Sequence, residues 1–183
     1  MPENRKRIEF ARWKNILVLV IVAAVIIFVL ISKLTGSWHR PLDNLFKGIS
    51  ENNTSAYTKS MPDCQINYYS NMIKDYDDYK TVDDFLNYRL DFTIKKLEKI
   101  YGNDLKASYS VNSRNTLESD DLEKIRSELC DEYDCKNLNI TKGYALEINA
   151  EFKGSEKSGN QDMKIQVAEV NDKWCVINDL PID

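Results

Sequence analysis

Four cysteines, one histidine and a short run of aspartates are the residues through which this chain of 183 residues could do chemistry. Cys64, Cys130, Cys135 and Cys175 form an even set, the usual sign of disulfides in an oxidising compartment. Cys130 and Cys135 are close neighbours at the end of a predicted helix, so the preferred pairing is Cys130–Cys135 with Cys64–Cys175. The second bridge would close a long loop and stabilise the fold by about 2–4 kcal/mol. Zinc is the rival use of the same residues. A C-x₄-C spacing with two distant cysteines lacks the paired pattern of zinc sites, and the only histidine is His39.

The segment DYDDYKTVDD places Asp75, Asp77, Asp78, Asp83 and Asp84 close together, a weak calcium candidate centred on Asp75, Asp77 and Asp78. It has neither the glycine nor the terminal glutamate of an EF-hand, and two of its members suit a helix N-terminus. No metal and no cofactor is expected. Nucleophile–histidine pairs, HExxH zinc sites and imidazole bases all need a histidine within the domain, and His39 stands at its edge. Phosphate-binding loops and dinucleotide fingerprints do not occur. An enzyme would have to use carboxylate and tyrosine groups. Tyr68, Tyr69, Tyr76, Tyr79 and Tyr88 crowd one region; such rings serve recognition surfaces and core rims alike, and at least half are expected in the core. Asn52, Asn53 and Asn139 match N-x-[ST], which matters only in a glycosylating host.

The element that places all of this is a membrane anchor. Asn15 to Ser32 carries no charge, and Ile16 to Ile31 is unbroken Ile, Leu, Val, Ala and Phe. At 1.5 Å per residue the run spans roughly 27 Å, close to the hydrocarbon thickness of a bilayer. Arg5, Lys6, Arg7, Arg12 and Lys14 precede it, so the N-terminus is expected in the cytoplasm and the C-terminal domain outside the cell. Trp13 and Trp38 flank it at headgroup level. A cleaved signal peptide is the alternative, but the apolar run is long for one and only Thr35 and Ser37 offer a weak cleavage site. The expected organisation is a tail (1–14), an anchor in the lipid bilayer (15–34), a tether (35–40) and one extracytoplasmic domain (41–183). Residues 1–34 carry net +4, which leaves −8 for the remainder of a chain whose total is −4. An acidic domain argues against nucleic acid or anionic lipid as its partner.

Within the domain, Pro41 opens a helical pattern with Leu42, Leu45, Phe46 and Ile49 on one face; a turn follows at Ala56 to Met61, then a weaker helix over Gln65 to Lys74. The strongest helix is Val82 to Tyr101, with Thr81 and Asp84 as a capping box and Gly102 as its stop. Leu105 to Val111 alternates as a strand, and Ser119 is expected to cap a helix carrying Leu122, Ile125 and Leu129. Tyr144, Leu146, Ile148, Ala150 and Phe152 alternate as one strand, Gly154 to Asn160 reads as a flexible loop, and Met163, Ile165 and Val167 form the return. Ala168 and Val170 shift phase, the mark of a bulge. Asn171-Asp172 is a tight turn into Trp174. Helices first and an antiparallel meander last give an α+β fold.

The opening DNLFKGISENNTSAYTKSMP (Asp43 to Pro62) and the finish GYALEINAEFKG…MKIQVAEVNDKWCVIND together resemble the nuclear transport factor 2-like (cystatin-like) superfamily over most of residues 41–180. The resemblance implies a cone-shaped domain of helices packed on a curved antiparallel sheet, as in small membrane-anchored bacterial members. That superfamily hosts enzymes, ligand binders and assembly modules, so fold alone implies no function. The expectation is a non-catalytic module binding an envelope protein or a small ligand. An assembly role is a narrower version, resembling the single-pass component of type IV secretion and conjugation machines. An enzyme using carboxylate and Tyr groups inside the cone is the alternative. A pilin role lacks the expected leader junction and glutamate.

Overall fold

The computed structural model describes residues 37–178; the tail, the anchor and the first two residues of the tether lie outside the described residues. Among the described residues no helix is long and apolar enough to cross a membrane. Helix α1 (His39–Glu51) starts two residues before Pro41 and takes in the end of the expected tether. Pro41 remains in the first turn, where a missing N–H has no intrahelical partner to lose. Leu42, Leu45, Phe46 and Ile49 are buried as their spacing requires. Asn52 ends the helix in the left-handed conformation, and Asn53 caps α2 (Thr54–Lys59) by accepting a hydrogen bond from the Ala56 N–H at 3.0 Å. The side chain of Asn53 is therefore already used as a cap.

Helix α3 (Asp63–Met72) follows Pro62 and runs into a 3-10 turn, Ile73–Asp75. Helix α4 (Val82–Tyr101) has the boundaries and the Thr81–Asp84 capping box read from the sequence, and it buries Leu86, Leu90, Ile94, Leu97 and Tyr101. Strand β1 (Lys106–Thr116) extends beyond the expected Val111, because Ser113 to Thr116 continue the pairing with β2 while showing no apolar alternation. Helix α5 (Ser119–Tyr133) is capped one residue earlier than expected: Glu118 and Asp121 exchange the box, and Ser119 is the first helical residue. Strands β2 (Ile140–Lys153), β3 (Ser158–Val170) and β4 (Lys173–Val176) complete a four-stranded antiparallel sheet in the order β1-β2-β3-β4. Asn171 and Asp172 both adopt positive φ in the β3–β4 turn, the pattern of a type I′ hairpin.

Two cores lie on the two faces of this sheet. The larger joins α1 and α4 to Leu146, Ile148, Ala150, Phe152, Met163, Ile165 and Val167. The smaller gathers Ile125 and Leu129 of α5 with Leu117, Leu138, Ile140, Ala168 and Val170. This second core explains the phase shift in β3. Val167 points to one core and Ala168 to the other, so the strand is apolar on both faces there and has no bulge. The extra residue is in β2 instead, where three steps from Ile140 to Gly143 oppose two from Val170 to Ala168.

The stretch expected as a flexible loop is shorter and docked. Residues 154–157 turn against the end of α4: the N–H groups of Glu156 and Lys157 donate to the Tyr101 carbonyl at 3.0 and 3.1 Å, and Ser155 N–H donates to Asn103 O at 2.7 Å. The turn thus satisfies carbonyls that a helix C-terminus leaves open. Gly154 makes the approach possible, since a Cβ there would sit 2.4 Å from the Tyr101 oxygen.

Candidate functional site

Ser60 is buried at the junction of the helical layer and the sheet edge. Its hydroxyl donates to Tyr57 O at 2.6 Å, and its carbonyl accepts from the Val176 N–H at 2.8 Å, stitching the end of α2 to β4. Beside this stitch lies a cavity of about 320 Å³, within the size range of small-molecule sites. Leu45, Met61 and Val176 form its apolar floor, Ser60 and Gln65 bring polar atoms to it, and α4 supplies one wall. On that helix Tyr88, Phe92 and Lys96 follow at i, i+4 spacing, with Arg89 and Thr93 alongside. Tyr88 and Phe92 are about half exposed, at 55 % and 54 %, and give the cavity an apolar rim.

A hydrogen-bonded relay runs beneath the cavity. Gln65 is only 5 % exposed, and its amide nitrogen donates to the Tyr69 hydroxyl at 3.0 Å and to the Tyr133 hydroxyl at 3.1 Å. The Arg89 guanidinium donates to the same Tyr69 hydroxyl and lies 5.1 Å over its ring. Three elements (α3, α4 and the end of α5) are therefore joined through Gln65 and the Tyr69 hydroxyl. Burial, and next a hydrogen bond with Glu132, push the Tyr133 phenol well above its usual range, so it stays protonated and neutral. Tyr133 also lines a second cleft of about 570 Å³ that contains Cys64 and Cys135.

Cys64 and Cys135 form a disulfide, Cα–Cα 5.5 Å, and Cys130 and Cys175 are free thiols. The expected pairs Cys130–Cys135 and Cys64–Cys175 are not formed. Asp134 ends α5 in the left-handed conformation (φ 47°), which turns Cys135 out of the helix and onto the first turn of α3. Cys175 is fully buried on β4, beside Lys173 and Asp63, which pair at 2.5 Å. Burial pushes its thiol up to about 12.

The other residues singled out in the sequence are less concentrated. Asp75 closes the 3-10 turn and Asp77 and Asp78 occupy the next one, all exposed; Asp83 and Asp84 start α4. Among the described residues no group of three or more His, Cys, Asp or Glu is arranged to hold a metal. Of the five clustered tyrosines only Tyr69 is buried, while Tyr68, Tyr76 and Tyr88 are exposed, so core use claims fewer than half. These rings instead make an aromatic surface continuous with the cavity: Tyr79 packs on Phe85 and Tyr88, and Tyr69 on Phe85, Tyr68 and Tyr133. His39 stacks on Trp38 at 3.4 Å.

One Tyr–carboxylate pair does form. The Tyr109 hydroxyl donates to Asp43 at 2.6 Å, and burial, with that bond second, raises its phenol far above the ordinary value. A phenol shifted away from neutrality is a poorer acid–base group, so the pair braces α1 against β1. At the other end of the sheet two exposed cations cover a half-buried stack of rings: Lys142 lies over the buried Trp174, Trp174 is parallel to Tyr144 at 5.5 Å, and Arg114 lies over both Tyr144 and Trp38. Gln65, Arg89 and Phe92 carried no signal in the sequence. Gln65 is on α3 while Arg89 and Phe92 are on α4, and the two sides meet only through tertiary packing; the sole trace was an aromatic, Phe92, on the polar side of the α4 stripe. No protein-family model, curated protein or solved structure matches the chain.

Proposed function

We propose that the protein is a membrane-anchored extracytoplasmic binding module that holds a small amphipathic ligand in the cavity between α4, Ser60, Gln65 and β4, without turnover. The observation that carries the reading is that cavity: an apolar floor, a buried glutamine fixed by two hydroxyls, and an arginine at the wall. Such a site suits a ligand with an apolar body and a hydrogen-bond-accepting head, since guanidinium and ammonium groups offer only donors. The described residues lining it include no carboxylate, imidazole or thiol, which favours binding over acid–base chemistry. The uncharged run at residues 15–32 and the basic residues before it support a single bilayer crossing with the C-terminal domain outside. The order of helices followed by an antiparallel meander supports a cone of the nuclear transport factor 2-like kind. Concavity favours a small ligand over a flat protein partner, although the exposed Tyr88 and Phe92 also suit a side chain inserted by an envelope protein.

The test uses para-(trifluoromethyl)benzoate as probe, observed by fluorine NMR with the full chain in lipid nanodiscs and empty nanodiscs as control. A probe of this size is expected to bind with Kd on the order of 1 mM. Thr93→Trp, which fills the cavity from α4, should abolish the effect. Equal broadening by the wild type, Thr93→Trp and empty nanodiscs would sink the proposal.

A further inference from the structure

We propose that the Cys64–Cys135 disulfide is an exchangeable switch for this cavity, with Cys130 as the incoming thiol. The inference rests on the cavity being the ligand site. Cys64 immediately precedes Gln65, and Cys135 follows Tyr133 by two residues. The covalent bond and the Gln65–Tyr133 hydrogen bond therefore clamp one junction, between the first turn of α3 and the end of α5. Gln65 lines the cavity, so what fixes that junction also fixes the polar part of the ligand site. Releasing α3 from α5 frees Gln65 to leave Tyr133, so that its side chain is held only by the Tyr69 hydroxyl on its own helix.

The disulfide is placed to exchange. Both of its cysteines line the second cleft, so the bond faces a space of about 570 Å³ and not a sealed core. Cys130 packs in the same small core as Cys64 and Cys135 and is only partly buried. Cys175 is the other free thiol, but full burial keeps it protonated and out of reach.

The step is redox-neutral. The Cys130 thiol gives its proton to solvent, and the thiolate attacks Sγ of Cys135. A Cys130–Cys135 bond forms as the Cys64–Cys135 bond breaks; the electron pair leaves on Cys64, which takes up a proton. One disulfide and one thiol are present before and after, and no outside oxidant or reductant is consumed. Attack on Cys64 would produce Cys64–Cys130, which still ties α3 to α5 and leaves the cavity clamped. Only attack on Cys135 opens it.

The experiment uses the full chain in nanodiscs, incubated at mildly alkaline pH, quenched with acid and mapped by peptide mass spectrometry. Cleavage after Glu132 separates Cys130 from Cys135. Recovery of a Cys130–Cys135 peptide beside Cys64–Cys135, abolished by Cys130→Ser, is the expected result. Cys64–Cys135 alone, or a Cys64–Cys130 peptide, would overturn the proposal, and this map needs no substituted chain to fold. Two variants then read the consequence. Cys130→Ser keeps Cys64–Cys135 and should bind para-(trifluoromethyl)benzoate as the wild type does. Cys64→Ser leaves only the Cys130–Cys135 pairing, and there the Gln65 side-chain amide signal should shift and probe affinity fall about fivefold, the ordering lost with roughly one hydrogen bond. An unmoved Gln65 signal with unchanged affinity overturns the switch. A Gln65 signal that shifts in a chain that never binds the probe supports the switch and sinks the cavity reading.

Discussion

Tyr133→Phe and Gln65→Ala, made singly and together, measure how firmly α5 is tied to the floor of the cavity. Tyr133→Phe removes the 3.1 Å bond from the Gln65 amide and leaves that N–H without this acceptor in a residue 5 % exposed. One neutral hydrogen bond is worth about 0.5–1.5 kcal/mol net, and a stranded buried donor adds to the loss, so about 1–2 kcal/mol is expected. Gln65→Ala removes one donor from each of the Tyr69 and Tyr133 hydroxyls and leaves a void where the side chain packed, and should cost about 2–4 kcal/mol. Because both substitutions delete the same bond, the double variant should lose about 1 kcal/mol less than the sum. Urea unfolding of the oxidised chain, followed by tryptophan fluorescence at constant m, gives all four values. A coupling within about 0.3 kcal/mol of zero would refute the relay, because independent sites add to that accuracy. Arg89 supplies an internal check: it still donates to Tyr69 in every variant, so the loss should not spread to α4.

Gly48→Ala should destabilise by about 1–3 kcal/mol, since the new methyl would lie 2.9 Å from the Tyr57 Cβ and 3.0 Å from its backbone nitrogen, forcing α2 away from α1. Tyr57 also lines the cavity, so probe binding should weaken in parallel, which the same fluorine titration reads. A second expectation concerns alkaline pH. The Cys175 thiol titrates at 9.0 in an ordinary setting and at about 12 in the fold, chiefly through burial, with Lys173 lowering and Asp63 raising it to lesser degrees. The unfolded chain therefore releases this proton from pH 9 upward while the folded chain keeps it, and stability falls across pH 9–12. Tyr109 and Tyr133 are raised as well and add to the fall above their ordinary value of 10.0. In a Cys130→Ser background, which blocks exchange, Cys175→Ala should flatten the urea midpoint between pH 9 and 10; an unchanged slope there would count against thiol burial as its cause.

What could be read from the sequence followed the strength of local signals. Helix α4 was legible to the residue because Thr81, Asp84 and Gly102 fix both ends through backbone hydrogen bonds that need no tertiary partner. The alternation of β2 was legible because one face of the sheet is buried along its length. Where tertiary context decides, the reading went astray. Ala168 and Val170 look out of phase until α5 is seen beneath them, and the glycine-rich turn looks loose until it meets the end of α4. The cysteine pairing turned on a single residue, Asp134, whose positive φ directs Cys135 at α3, and aspartate only weakly signals that conformation. The cavity was invisible for the same reason. Gln65 and Arg89 communicate through Tyr69, and no spacing within one helix reports a contact among three elements.

Helix α5 is the element in which these observations meet. It is inserted between β1 and β2, two neighbouring strands that a short turn would otherwise join, and it covers the sheet face opposite the other helices. A hairpin would have been enough for the sheet, so the insertion is best explained by what its far end reaches. That end returns to the helical layer through three bonds of different kinds: apolar contact of Tyr133 with Tyr68 and Tyr69, the Gln65 hydrogen bond, and the Cys64–Cys135 disulfide. The first two are individually worth about a kilocalorie and exchange freely with solvent-exposed states, whereas the third changes only through sulfur chemistry. Weak bonds alone would let the floor of the cavity fluctuate, and a sealed disulfide would fix it permanently. A disulfide open to a cleft, with a third cysteine in the same small core, gives the junction two long-lived states separated by a chemical step. The cavity is then held by α5 in one of them and released in the other.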